Sequence, residues 1–68
     1  MRIRTSQELG LLVRELRQRR GLTQTALAER IGATRQWVYG LETGRPRLEL
    51  GLTLRALTAL GATIEVRG

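Results

Sequence analysis

Apolar residues recur every three or four positions along most of this chain, which is the spacing of one face of an α-helix. Four such stretches predict four short helices, at about residues 6–20, 24–31, 35–43 and 50–61. The predicted inward faces carry Leu9, Leu12, Val13 and Leu16, then Leu27, Ala28 and Ile31, then Val38 and Leu41, and finally Leu50, Leu54 and Leu57. In the last helix, Leu52, Ala56 and Leu60 widen the apolar face, which predicts a contact beyond the chain's own core.

Small polar residues and glycines mark the predicted ends of these helices. Thr5 and Glu8 have the spacing of a capping box, in which the threonine is the N-cap residue. Threonine also precedes the second and third helices, as Thr23 and Thr34. A glycine that can adopt the left-handed conformation follows the first two helices, and a glycine and a proline end the third. These residues are Gly21, Gly32, Gly44 and Pro46.

The C-terminal residues Ala62 to Arg67 change to a strict apolar–polar alternation, which predicts a half-buried β-strand. A lone strand leaves its backbone groups unpaired. Antiparallel pairing with the same strand of a second chain would satisfy them and give a closed twofold dimer. The dimerisation residues would be Ala62, Thr63, Ile64, Glu65 and Val66. Pairing with the short segment 2–4 of the same chain and a frayed terminus are the alternatives.

Composition limits the chemistry of the chain. Its 68 residues make one small domain, and they include no Cys, His or Asp. Disulfides, thiolate metal sites and histidine acid–base catalysis are therefore excluded, and we expect no enzyme, metal or cofactor. No apolar run reaches the ~20 residues that span a bilayer. Residues 1–5 are charged with no apolar segment after them, so a cytoplasmic protein is expected.

The charge of the chain points to a polyanionic partner. Twelve basic residues, all arginine, stand against six glutamates, which gives a net charge of +6. Such an excess in a small domain favours nucleic acid binding, and the guanidinium group suits both phosphate and guanine. With 3% aromatic residues, the chain does not match RNA-binding modules that stack bases on aromatic rings.

Residues 24–43 carry the most specific pattern in the sequence. Two predicted helices flank Gly32, and Ala28 is small where the helices must approach each other. Their shared interior would be Leu27, Ile31, Val38 and Leu41. This spacing predicts a helix-turn-helix whose second helix can enter the major groove of DNA. An ordinary helical hairpin is the alternative.

The segments QTALAERIG (24–32) and LETGR (41–45) resemble the Cro/CI (XRE) family of helix-turn-helix regulators. The resemblance implies an all-α, λ-repressor-like bundle of four to five short helices. It implies that Arg35, Gln36, Tyr39 and Gly40 face the groove, and that Gln24 contacts phosphate. It also implies that backbone N–H groups of Thr43 and Gly44 grip phosphate beside Arg45 and Arg47, and that Arg17 and Glu42 form a buried salt bridge.

The chemistry of these side chains suggests their individual roles. Arg35 can contact the O6 and N7 edge of guanine, and Gln36 can contact adenine in the same bidentate way. The alternative for both is phosphate or solvent. Tyr39 can reach a base or, through its hydroxyl, a phosphate. Trp37 either contacts the DNA backbone or packs at the rim of the protein, and Thr34 joins the residues expected to contact phosphate.

The tail from Leu60 to Val66 resembles HipB-type antitoxins. That resemblance implies a homodimer joined by its terminal strands, a HipA-like kinase toxin as partner, and repression of the chain's own operon. A twofold dimer is expected to bind an inverted-repeat DNA operator with half-sites ~34–36 Å apart. The alternatives are a toxin-neutralising adaptor that binds DNA weakly and a stand-alone phage-type regulator.

Overall fold

A computed structural model describes residues 3–63 of the chain. In this part the fold is entirely helical, with α1 (Ser6–Arg19), α2 (Gln24–Ile31), α3 (Arg35–Glu42) and α4 (Leu50–Ala59). The predicted helices are thus confirmed. Ala62 and Thr63 follow α4 without regular secondary structure. The other residues of the predicted dimerisation strand, Ile64, Glu65 and Val66, lie outside the described residues.

Threonine hydroxyls cap the first three helices as predicted. The Oγ1 atoms of Thr5, Thr23 and Thr34 accept hydrogen bonds from the N–H groups of Glu8, Ala26 and Trp37 at 3.0–3.1 Å. The reciprocal half of the capping box differs from the prediction. The carboxylate of Glu8 accepts from the N–H of Arg4 at 3.2 Å and not from that of the N-cap residue.

All four helices end in the same backbone turn. A glycine with positive φ follows each helix, at Gly21, Gly32, Gly44 and Gly61. Its N–H and the next N–H bond back to carbonyls of the last helical turn, which is the Schellman motif. After α2 the glycine is Gly32, with φ 72°, and only Ala33 and Thr34 separate it from α3. This turn fixes the direction in which α3 leaves α2.

The hydrophobic core lies where α3 meets α1 and α2, with α4 packed against α2. The largest fully buried side chains are Val13, Leu27, Val38 and Leu41. The predicted interior of the central helix pair is therefore confirmed. Gly10 of α1 lies against the end of α3, where a Cβ atom would stand 2.5 Å from the carbonyl oxygens of Leu41 and Glu42.

The predicted inner face of α4 is confirmed at Leu57, which is buried, and is wrong at Leu50 and Leu54. Leu50 and Leu54 are 70% and 41% exposed. The buried residues are Thr53, Ala56, Leu57 and Leu60, which are spaced at i, i+3, i+4 and i+7. Threonine can lie inward because its hydroxyl donates a hydrogen bond to the carbonyl of Glu49 at 2.8 Å. The two exposed leucines are left on the outer surface of α4.

The close crossing of α1 and α3 predicts that G10A destabilises the domain. The added methyl group would meet backbone carbonyls, and overpacking of this kind costs about 1–3 kcal/mol. G51A is the matched control, since Gly51 is an exposed helical residue whose Cβ would have 3.7 Å to its nearest neighbour. That change should stabilise by ~0.5–1 kcal/mol through helix propensity. Urea titration followed by circular dichroism measures both, and equal effects would contradict the close crossing.

Candidate nucleic-acid interface

The outer face of α3 gathers the residues predicted to contact bases. Val38 and Leu41 anchor the helix in the core with no exposed surface. Arg35, Gln36 and Tyr39 are exposed, and Tyr39 keeps 55% of its surface accessible. Thr34 is exposed at the N-terminal end of the same helix. The structure therefore brings three polar side chains together on one short, well-anchored helix.

Trp37 packs partly against the core and keeps part of its surface accessible. This position agrees with the rim alternative of the sequence analysis. The residue therefore contributes to the attachment of α3, and its remaining surface lies next to the exposed residues of that helix.

A buried ion pair fixes the end of α3 relative to α1. The guanidinium of Arg17 donates from Nε to Glu42 Oε2 at 2.6 Å and from Nη2 to Oε1 at 3.0 Å. The two side chains are only 11% and 3% exposed. Arg17 Nη1 also donates to the carbonyl of Leu22 at 2.8 Å. The hydrogen bonding to Glu42 raises the pKa of Arg17, which further favours its charged form.

Gln24, predicted to contact phosphate, belongs to the same network. Its Nε2 atom donates to Glu42 Oε1 at 3.3 Å, and the residue is half-buried. This contact links the first turn of α2 to the ion pair. The amide side chain is therefore held against the protein, at the end of α2 where the backbone N–H groups of the first helical turn also lie.

The turn after α3 uses the backbone groups that the resemblance assigned to phosphate. The N–H of Thr43 donates to the Tyr39 carbonyl at 3.0 Å, and the N–H of Gly44 donates to that of Leu41 at 3.2 Å. The Thr43 hydroxyl donates to the Tyr39 and Gly40 carbonyls. In this structure the cap of α3 engages both N–H groups, and phosphate contact by Thr43 and Gly44 stays a prediction.

The turn after α3 carries two exposed arginines, and two glycines at the end of α3 and in the turn are buried. Arg45 and Arg47 are exposed on either side of Pro46. Gly40, expected on the groove-facing side of α3, is buried. Gly44 is buried against Gln7 of α1, whose Cα would be 2.8 Å from an added Cβ atom. Close packing of the turn on α1 therefore positions the arginine-bearing loop beside α3.

Two other arginines, Arg20 and Arg55, also stabilise the fold, and the sequence analysis predicted neither contact. Arg20 Nε donates to the carbonyl of Leu60 at 3.1 Å. Arg55 Nη1 donates to that of Ile31 at 3.4 Å. Arg17 makes the same kind of contact with the carbonyl of Leu22. Each of these three guanidinium groups bonds to a carbonyl at or just beyond the end of a helix, where cations are favoured.

Two general features of the described residues bear on function. None of the helices described has the length and apolar character needed to cross a membrane. Among residues 3–63 there is also no cluster of three acidic, histidine or cysteine side chains that could hold a metal ion.

Comparison with known sequences identifies related regulators. The sequence profile of the helix-turn-helix domain family matches residues 8–67. The HTH-type transcriptional regulator y4mF of Sinorhizobium fredii is 35% identical over 65 residues, which are 96% of this chain and 86% of the relative. An HTH-type transcriptional regulator of Methanothermobacter thermautotrophicus is 52% identical over 50 residues, or 74% of this chain and 72% of the relative.

Comparison with solved structures gives the fold. A chain in the HipB–O4 20mer complex matches with a TM-score of 0.88 and 22% identity, over 100% of this chain and 96% of that one. A chain in the HipA–HipB–O2–O3 complex gives the same values. The helical arrangement described above is therefore that of these chains along nearly their whole length.

The ion pair predicts that E42A lowers the free energy of unfolding by about 3–5 kcal/mol, because the buried guanidinium of Arg17 would lose its partner. E15A is the matched control. Glu15 pairs with Arg19 on the exposed surface of α1, and such pairs contribute ~1 kcal/mol or less. Urea unfolding followed by circular dichroism compares the two variants. Losses of similar size would show that the Arg17–Glu42 pair does not fix α3.

Proposed function

The chain belongs to the helix-turn-helix family of DNA-binding transcriptional regulators and resembles HipB; on that basis we propose that it is a sequence-specific repressor that binds an inverted-repeat operator as a homodimer. We further propose that it is the antitoxin and autorepressor of a HipBA-like operon, with a HipA-like kinase toxin as partner.

The observation that carries the proposal is the outer face of α3. A helix held in the core by Val38 and Leu41 presents exposed Arg35, Gln36 and Tyr39 on its other side. Arginine and glutamine near the start of such a helix match guanine and adenine in the major groove. The rigid attachment supports specific recognition, because a fixed backbone holds each donor against one base pair.

Residues around α3 supply the contacts to the DNA backbone in this proposal. Arg47 carries an exposed charge on the loop after α3. Thr34 lies at the other end of that helix, and Trp37 offers its accessible edge to a sugar or phosphate. Gln24 contributes the N-terminal end of α2, where the backbone N–H groups and the helix dipole attract anions. Thr43 and Gly44 hold the loop in place.

The dimer in this proposal rests on the surface of α4 and on the tail. Exposed Leu50 and Leu54 lie on α4, the helix that leads into residues 62–66. A second chain that pairs its tail with this one would gain backbone hydrogen bonds and would cover apolar surface. Such a dimer carries a net charge of +12, twice the +6 of one chain, which favours binding to a polyanion such as DNA.

The antitoxin role is supported by the likeness in fold to a chain of a complex that contains both HipA and HipB. The likeness extends over 100% of this chain and 96% of that one. A domain of this size can repress transcription by occupying an operator, and it can neutralise a toxin by binding the toxin directly.

Selection of bound DNA from a random pool at fixed salt concentration tests operator binding. We expect an inverted repeat with half-site centres ~34–36 Å apart. R35A should lose ~1–3 kcal/mol on the selected site and relax the preference at one base pair of each half-site. R19A, which removes the same charge from α1, is the control and should retain the preference. Failure to select any sequence, together with tight binding to a kinase toxin, would instead favour the adaptor.

Deletion of residues 62–68 tests the proposed dimer. Without the tail the strands cannot pair, so the truncated chain should sediment as a monomer at concentrations where the full chain is a dimer. Circular dichroism of the truncated chain checks that α1 to α4 remain folded. A dimer of unchanged stability after truncation would exclude pairing through the tail.

A further inference from the structure

Gly40 is buried on the side of α3 that faces away from the core. It follows the exposed Gln36 by four residues, so the two positions are neighbours along one line of the helix surface. The group that covers Gly40 is the guanidinium of Arg45. A Cβ atom at position 40 would lie 2.9 Å from Arg45 Cζ and 3.0 Å from Nε. The guanidinium therefore occupies the space that a side chain of residue 40 would fill.

The cap of α3 explains why Arg45 reaches this place. Gly44, with φ 84°, reverses the chain, and the N–H of Arg45 donates to the carbonyl of Gly40 at 3.0 Å. In the Schellman motif the residue in the place of Arg45 commonly packs against the residue in the place of Gly40. Glycine at position 40 leaves room for the guanidinium against the helix backbone. Pro46 directly follows Arg45 and restricts the loop at that point.

We propose that Arg45 reads a base pair in the major groove, in the place of the side chain that residue 40 lacks. The inference rests on the proposed function, in which the outer face of α3 enters the groove. The family resemblance implies a phosphate contact for Arg45, and the contact with Gly40 changes that assignment. The most suitable target is guanine, because the planar guanidinium can donate to O6 and N7 together.

The spacing along α3 supports this reading. Gln36 and Gly40 are one helical turn apart, which is about 5.4 Å along the axis. Base pairs follow one another every ~3.4 Å. The amide of Gln36 and the guanidinium over Gly40 are therefore spaced to meet two nearby base pairs of the same half-site.

The test compares full-length variants on the operator selected by the wild-type chain and on all its single-base substitutions. R45K keeps the positive charge but loses the bidentate fork. We expect R45K to reduce the preference for guanine at one position of each half-site by roughly 5- to 150-fold. The affinity for random DNA and its dependence on salt should stay at the wild-type values.

A second variant approaches the same contact from the helix. G40A places a methyl group where the guanidinium lies, so Arg45 must move although it is still present. We expect G40A to lose the same guanine preference, and the double variant G40A/R45K to lose no more than either single one. Alanine favours helix, so thermal unfolding of G40A should occur at or above the wild-type temperature.

R19K is the control for the same arginine-to-lysine change at an exposed position of α1, outside the proposed DNA contacts, and it should keep every base preference. The inference is overturned if R45K retains the preference of the wild-type chain while R45A lowers the slope of log K against log salt by about one, as a phosphate contact would. The proposed function would survive that result. A wild-type chain that selects no sequence would overturn both.

Discussion

The ion pair between Arg17 and Glu42 is the contact on which the arrangement of the helices depends. Helix α3 has eight residues, and a helix of that length is not stable by itself in water. Its direction must come from tertiary contacts, and the ion pair holds its last residue to α1. Through Gln24 the same carboxylate also holds the start of α2. One buried group therefore relates three helices to each other.

Arginine has two separate uses in this small domain. Arg20 and Arg55 donate to backbone carbonyls and join segments that are distant in sequence, and Arg17 joins α1 to α3 through Glu42. The arginines at α3 and its following loop remain exposed. A count of basic residues therefore overstates the charge available to a polyanion, because part of it is engaged within the fold. Exposed arginines lie beside the polar face of α3 and also on other helices, as Arg14 does on α1 and Arg30 on α2.

The sequence was sufficient wherever local chemistry decides the structure. Threonine caps, glycine turns and the interior of the central helices could be predicted because each depends on residues within a few positions. The prediction for α4 was wrong at Leu50 and Leu54 because the buried position is taken by Thr53, whose hydroxyl bonds to the Glu49 carbonyl in a way that hydrophobicity does not reveal. The contact between the Arg45 guanidinium and Gly40 depends on the path of the turn after α3, so the periodic pattern of apolar residues could not reveal it either.

Both ends of α3 are closed by its own neighbours, Thr34 at the start and Gly44 at the finish. The exposed side chains between these two residues are therefore not needed to stabilise the ends of the helix. Substitutions at Arg35, Gln36 or Tyr39 can alter what the surface binds while the scaffold keeps its stability. After duplication, copies of such a domain can therefore acquire different binding targets while each copy keeps the same stable fold.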